Sequence, residues 1–128
     1  MPVRRTRRRY LAIEIEGERP RDAKELEQLI LDAVVSLFGE VGASEASFKV
    51  IEYDASKGVG IIRCPHLKMG LVRAAMASVT NLRGSPTAIH VVDVSGTLRA
   101  LRKRLPSRLM HLAEPKGLSD TKPRGSRG

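Results

Sequence analysis

Between Asp22 and Val41 the apolar residues Leu26, Leu29, Ile30, Ala33, Val34, Leu37, Phe38 and Val41 recur at steps of three and four. That spacing lines one side of an α-helix and cannot serve a strand, whose neighbouring side chains point to opposite faces. Asp22, followed three residues later by Glu25, has the form of an N-cap with its capping-box partner. The helix is expected to end near Gly39 or Gly42. A helix this long, flanked by segments that follow a different rule, sets the outline of the fold.

The flanking segments alternate. Residues 10–16 place Leu11, Ile13 and Ile15 on one parity, as in a half-buried strand. "ASFKVIEYD" and "VGIIRC" are joined by "ASKG" and predict a hairpin. Pro65 suits the first turn of a second helix over "HLKMGLVRAAMASV", with Leu67, Leu71, Ala74, Ala75 and Val79 inward. "TNLRGSP" is expected to be a loop, "TAIHVVDV" a fourth strand, and residues 95–105 a short helix that stops before Pro106. The order is β-α-β-β-α-β with an extra C-terminal helix. Hairpin adjacency and crossover rules then favour an α/β sandwich of the α+β kind: a ferredoxin-like, or RNA-recognition-motif-like, four-stranded antiparallel sheet with two helices on one face. Residues 1–9 form a basic arm, 10–105 a single domain, and 106–128 a polar Gly-, Pro- and Ser-containing tail expected to be disordered.

Charge is unevenly spread over the 128 residues, whose net value is +9. Residues 1–9 hold five Arg and no acid, residues 10–62 five bases against eleven acids, and residues 63–128 thirteen bases against three acids. A basic head and a basic second half thus flank an acidic middle. This layout points to a polyanion on one surface and another partner, or solvent, on a different one. No apolar run approaches the roughly 18 residues of a membrane span, and a single Cys with no secretory pattern favours the cytoplasm.

Catalytic patterns are missing. Cys64 and His66 in "RCPH" have no CxxC or HxxxH company, so neither a zinc site nor a thiol nucleophile is expected. Lone cysteines are more often small buried hydrophobes. Glu14, Glu16, Glu18, Glu25 and Glu27 read as solvated faces, and no Walker loop, GxGxxG or GxSxG occurs. The predicted central strand "GVGIIRC" also lacks the aromatic residues with which an RNA-recognition motif stacks bases. No catalytic, metal-binding or cofactor-binding residue is therefore assigned.

The stretch "VSGTLRALRKR" is the strongest candidate for binding. Ser95 is placed to cap the last helix, and Gly96 and Thr97 would let backbone N–H groups approach an anion. Leu98, Leu101 and Leu105 form one stripe, and Arg99, Arg102 and Lys103 the opposite one. With Arg7, Arg8, Arg9, Arg63 and Arg73, plus Ser95 and Thr97, these cations make up the candidate phosphate-binding set. Lys68 and Arg83 add to the basic second half.

"RRRYLAIEIEG", "LFGEVGAS", "GIIRCPH" and "SGTLR", in this order and spacing, resemble the archaeal ribonuclease P protein component 2 family, counterpart of a eukaryotic precursor-RNA-processing subunit. The likeness spans about residues 6–105. It implies a subunit of an endoribonuclease that removes the 5′ leader of precursor tRNA, with catalysis by an RNA that uses Mg²⁺ and no cofactor held by the protein. It also implies ribonuclease P RNA and the TIM-barrel component 3 as partners, the latter in a heterotetramer, and precursor tRNA indirectly. The competing expectation is a ferredoxin-like interaction module that scaffolds another RNA-processing complex.

Overall fold

The computed structural model describes residues 7–105. β1 (Arg8–Gly17) leads into α1 (Ala23–Ala46), followed by β2 (Lys49–Asp54) and β3 (Val59–Pro65). A 3-10 turn (His66–Lys68) precedes α2 (Met69–Ala77), β4 (Asn81–Leu82), β5 (Ser85–Ser95) and α3 (Leu98–Arg104). The sheet is antiparallel with strand order β2-β3-β1-β5-β4. The ferredoxin-like arrangement with a C-terminal helix is therefore present, with one more strand than the four expected. The addition is short: Asn81 and Leu82, inside the expected loop, pair with Pro86 and Ser85.

Each face of the sheet has its own core. The odd residues of β1 (Leu11, Ile13, Ile15) join Val50, Ile62, Cys64 and Ile89 beneath Leu26, Ile30 and Val34 of α1 and Val72, Ala75 and Met76 of α2. On the opposite face Ala12, Val59 and Ile61 meet Leu101 and Leu105, with Tyr10, Ile51 and Leu98 at the margin. A strand buried on both faces reads as a continuous apolar run rather than an alternation, and "VGII" of β3 does so.

The two longer helices depart from expectation in ways that follow from local backbone. Asp22 caps α1, its Oδ1 accepting the Glu25 N–H at 2.8 Å, while Glu25 Oε1 accepts from the Arg21 N–H at 2.6 Å. The helix does not stop at Gly39. That residue takes φ 78°, ψ 179° as a kink, and helix resumes to Ala46. Leu37, Phe38 and Val41, expected inward, are exposed, Val41 to 73%. Leu67, also expected inward, is 88% exposed because residues 66–68 form a 3-10 turn. Pro65 is the last residue of β3 and precedes that turn, so it does not open an α-helix. Ala74 faces out, and Val72 and Met76 fill the core with Ala75.

Candidate nucleic-acid interface

Strand register sorts the charges to opposite ends of the sheet. One end gathers the start of β1, the finish of β3, the start of β2 and the finish of β5. Arg8 stands opposite Pro65, Tyr10 lies between Arg63 and Ser95, and Arg63 faces Lys49 on its other side. The Arg7 carbonyl accepts the His66 N–H at 2.6 Å, which ties the arm's last residues to this end. Arg9 reaches toward α3: a Cβ added at Gly96 would stand 3.0 Å from its Nη1. β1 itself begins at Arg8, so part of the expected basic arm is sheet. The remainder of the arm, residues 1–6, and the tail, 106–128, lie outside the described residues.

The other end carries Glu16, Glu18, Asp22, Glu25 and Asp54, and Arg19 and Arg83 there are engaged. Arg83 bonds Glu25 through Nη1, and its Nη2 donates to Glu18 Oε2 at 2.7 Å and to the Arg19 carbonyl at 3.1 Å. Arg19 donates to the carbonyls of Ala55 and Ser56 at 3.3 and 2.7 Å. Glu16 pairs with His90 at 2.8 Å. Several carboxylates expected as plain solvated faces are thus ion-pair members, and Arg83 is not available to a phosphate.

The side-chain bond from Arg83, with the Arg21 N–H second, holds the Glu25 carboxyl below its ordinary range, and Arg104 does the same for Asp93. A carboxyl with a folded pKa below its unfolded one stabilises the fold above the unfolded value and ceases to as pH falls through the folded one. Thermal midpoint should therefore fall as pH drops below about 4. In that window the fall should be shallower for Glu25→Gln than for the unaltered chain. Parallel curves would show that the Arg83 pairing contributes nothing to acid sensitivity.

Around α3 the sequence reading needs one correction. The N-cap is Thr97, whose Oγ1 accepts the Ala100 N–H at 3.1 Å, while its carbonyl takes the Leu101 N–H. Ser95 is buried at the end of β5, and its Oγ accepts the Thr97 N–H at 3.3 Å. Both hydroxyl oxygens accept bonds that build the turn. The α3 cations also divide. Arg102 is turned back toward Glu52, Nη2 to Oε1 4.0 Å. Arg104 fastens the helix to Asp93 (Nη2 to Oδ1 3.0 Å) and to the Val94 carbonyl at 2.7 Å. Arg99 and Lys103, four residues apart and exposed, remain outward. Arg73 sits exposed on α2, across the sheet from α3, and is not brought together with them. Lys68 pairs with Glu45 at 3.2 Å.

Cys64 is 1% exposed, and burial pushes its thiol up to about 11, so it stays protonated at neutral pH. Among the described residues no three His, Cys, Asp or Glu stand where they could hold a metal ion, and no helix is long and apolar enough to cross a membrane. Lys49 joins the basic end by register alone, through the pairing of β2 with β3 at Arg63, which no local sequence pattern encodes.

The fold is a ferredoxin-like α+β sandwich with cations collected at one end of its sheet. Known proteins narrow the class. A sequence profile of the Rpp14/Pop5 family matches residues 9–106, and the chain belongs to that family. Ribonuclease P protein component 2 of Methanosarcina barkeri is 37% identical over 99 residues, covering 77% of this chain and 72% of that protein. Its namesake from Thermococcus gammatolerans is 31% identical over 103 residues, covering 80% and 86%. In fold the chain also resembles a chain in the cryo-EM structure of yeast ribonuclease MRP, with TM-score 0.60, 16% identity and 93% and 94% coverage.

Proposed function

We propose that this chain is a protein subunit of ribonuclease P that assists a catalytic RNA in removing the 5′ leader of precursor tRNA. The observation that carries the reading is the kinship with component 2 proteins over most of the chain. Its geometry agrees: cations with no carboxylate partner among the described residues gather at one end of the sheet, and Arg99 and Lys103 project from α3 on the sheet face that also carries Arg8, Arg63 and Lys49. The chemistry belongs to the RNA and its Mg²⁺. The protein supplies fixed positive charge, which lets phosphates of the RNA core and the substrate approach one another. The isolated chain is not catalytic, and its place of work is the cytoplasm.

The TIM-barrel component 3 is the proposed protein partner, in a heterotetramer. The exposed Val35, Leu37, Phe38 and Val41 of α1 offer it an apolar surface on the other side of the molecule from α3. The same surface would serve the alternative, a scaffold in another RNA-processing particle.

Leader cleavage by the cognate RNA at low Mg²⁺ decides between them, assayed with RNA alone, with this chain, and with this chain plus component 3. Cleavage is expected only when the chain is present, and more strongly with the pair. No gain in any mixture, with the RNA active at high Mg²⁺, would overturn the assignment. If about five phosphates are contacted, binding to the RNA should show a log–log salt slope of about −4 to −5. A slope near zero would remove phosphate neutralisation as the mechanism.

A further inference from the structure

The basic end of the sheet is concave. A cleft of about 240 Å³ opens between the end of α1 and the end of β3, lined by Arg8, Ser47, Arg63, Cys64 and Pro65. It contains no carboxylate. Arg8 opposes Pro65 and Arg63 stands two residues before it, so strand alternation puts both arginines on one face as diagonal neighbours. Lys49 stands directly opposite Arg63 on the same face. From the resemblance to component 2 proteins and this arrangement together, we infer that the cleft seats one phosphodiester group of the partner RNA, gripped by Arg63 and Arg8 with Lys49 at its rim. The inference rests on the ribonuclease P reading and adds a location to it.

Three physical observations support this place. Like charges directly opposite on paired strands destabilise a sheet, so the Lys49–Arg63 pair with Arg8 at the diagonal is a liability for the folded chain alone. An anion between them converts that repulsion into attraction. Next, Arg19, Arg83, Arg102 and Arg104 each point at a carbonyl or carboxylate of the same chain, whereas Arg8 and Arg63 have no such side-chain partner among the described residues. Finally, the rest of the lining is uncharged: Ser47 turns the chain with φ 45°, Pro65 ends β3, and the buried Cys64 thiol stays protonated. The cleft is smaller than the roughly 300 Å³ at which small-molecule sites begin, which suits a phosphate with part of its sugar better than a whole cofactor. The planar guanidinium fork of Arg63 matches two phosphate oxygens, which a lysine would not.

Binding of the full chain to the cognate ribonuclease P RNA, titrated from low to high KCl, tests the inference. The Arg8→Gln/Arg63→Gln double variant is expected to lose roughly tenfold or more in affinity at low salt and to flatten the log–log slope by about 1.4 to 1.8. Lys57→Gln, at the opposite end, should match the unaltered chain. Circular dichroism checks that the double variant is folded. If it is not, Arg63→Lys keeps the charge and should lower affinity several-fold with the slope unchanged. A folded double variant with unaltered affinity and slope, or Arg63→Lys with unaltered affinity, would overturn the phosphate seat and leave the RNA-binding reading standing. Absence of salt-dependent binding by the unaltered chain would instead strike the ribonuclease P reading itself.

Discussion

Leu101→Ala is expected to cost about 2–3 kcal/mol and to detach α3, with a several-fold loss of RNA affinity as its second effect. Leu101 is fully buried against Ala12, Val59 and Ile61, and it is the central member of the stripe that includes Leu98 and Leu105. Truncations of this kind span about 2–5 kcal/mol where the surrounding core must carry the cavity. Here another route is open. A seven-residue helix is far below the roughly 12–15 residues at which helices persist alone, so α3 can undock while the sheet stays folded. The cost is then limited to the docking energy of α3.

Two measurements separate this from a general loosening. Amide exchange at Leu101 and Arg102 should become fast, while β1 and β3 stay protected. Arg99 and Lys103, no longer held on one face, should contribute less to RNA binding. A cost under about 1 kcal/mol with α3 amides still slow would mean that Thr97 capping and the Arg104–Asp93 pair hold the helix without its leucine.

The elements legible in the sequence were those written in local chemistry. Asp22 before a run at helical spacing gave the start of α1, and the alternation at Leu11, Ile13 and Ile15 gave β1 its inner parity. Failures came where one residue changed the local geometry. Gly39 at positive φ kinks α1 without ending it, which leaves Leu37, Phe38 and Val41 outside although their spacing says otherwise. A 3-10 turn does the same to Leu67.

The candidate site was legible as composition but not as pairing. Thirteen bases in the second half announced a basic surface. Which of them are free depends on contacts across 58 residues for Arg83 and Glu25, or 65 for Arg83 and Glu18, and no local pattern encodes these. The reverse holds for Lys49, which lies in the acidic middle by sequence and at the basic end by register. Ser95 lost the cap to Thr97 because β5 runs to Ser95 before the chain turns.

Gly17→Ala is expected to destabilise the chain by about as much as Leu101→Ala, roughly 2–3 kcal/mol, yet to leave RNA affinity unchanged wherever the protein is folded. Gly17 ends β1 with φ +91°, a conformation that strains any residue with a side chain, and a Cβ there would stand 2.5 Å from the Pro86 carbonyl oxygen. The obstacle is backbone on the paired strand, so relief requires moving β5 where Gly17 faces Thr87. That position is at the acidic end, near the Thr87 hydroxyl that donates to the Glu18 carbonyl at 2.6 Å. Arg8, Arg63 and Lys49 lie at the far end of the same strands. Denaturant unfolding and RNA titration of the two variants side by side therefore distinguish stability from placement. Equal losses of stability with loss of affinity in Leu101→Ala alone would tie binding to the α3 face and the basic end. Equal loss of affinity in both would mean that RNA engages the acidic end as well, or that binding follows global stability.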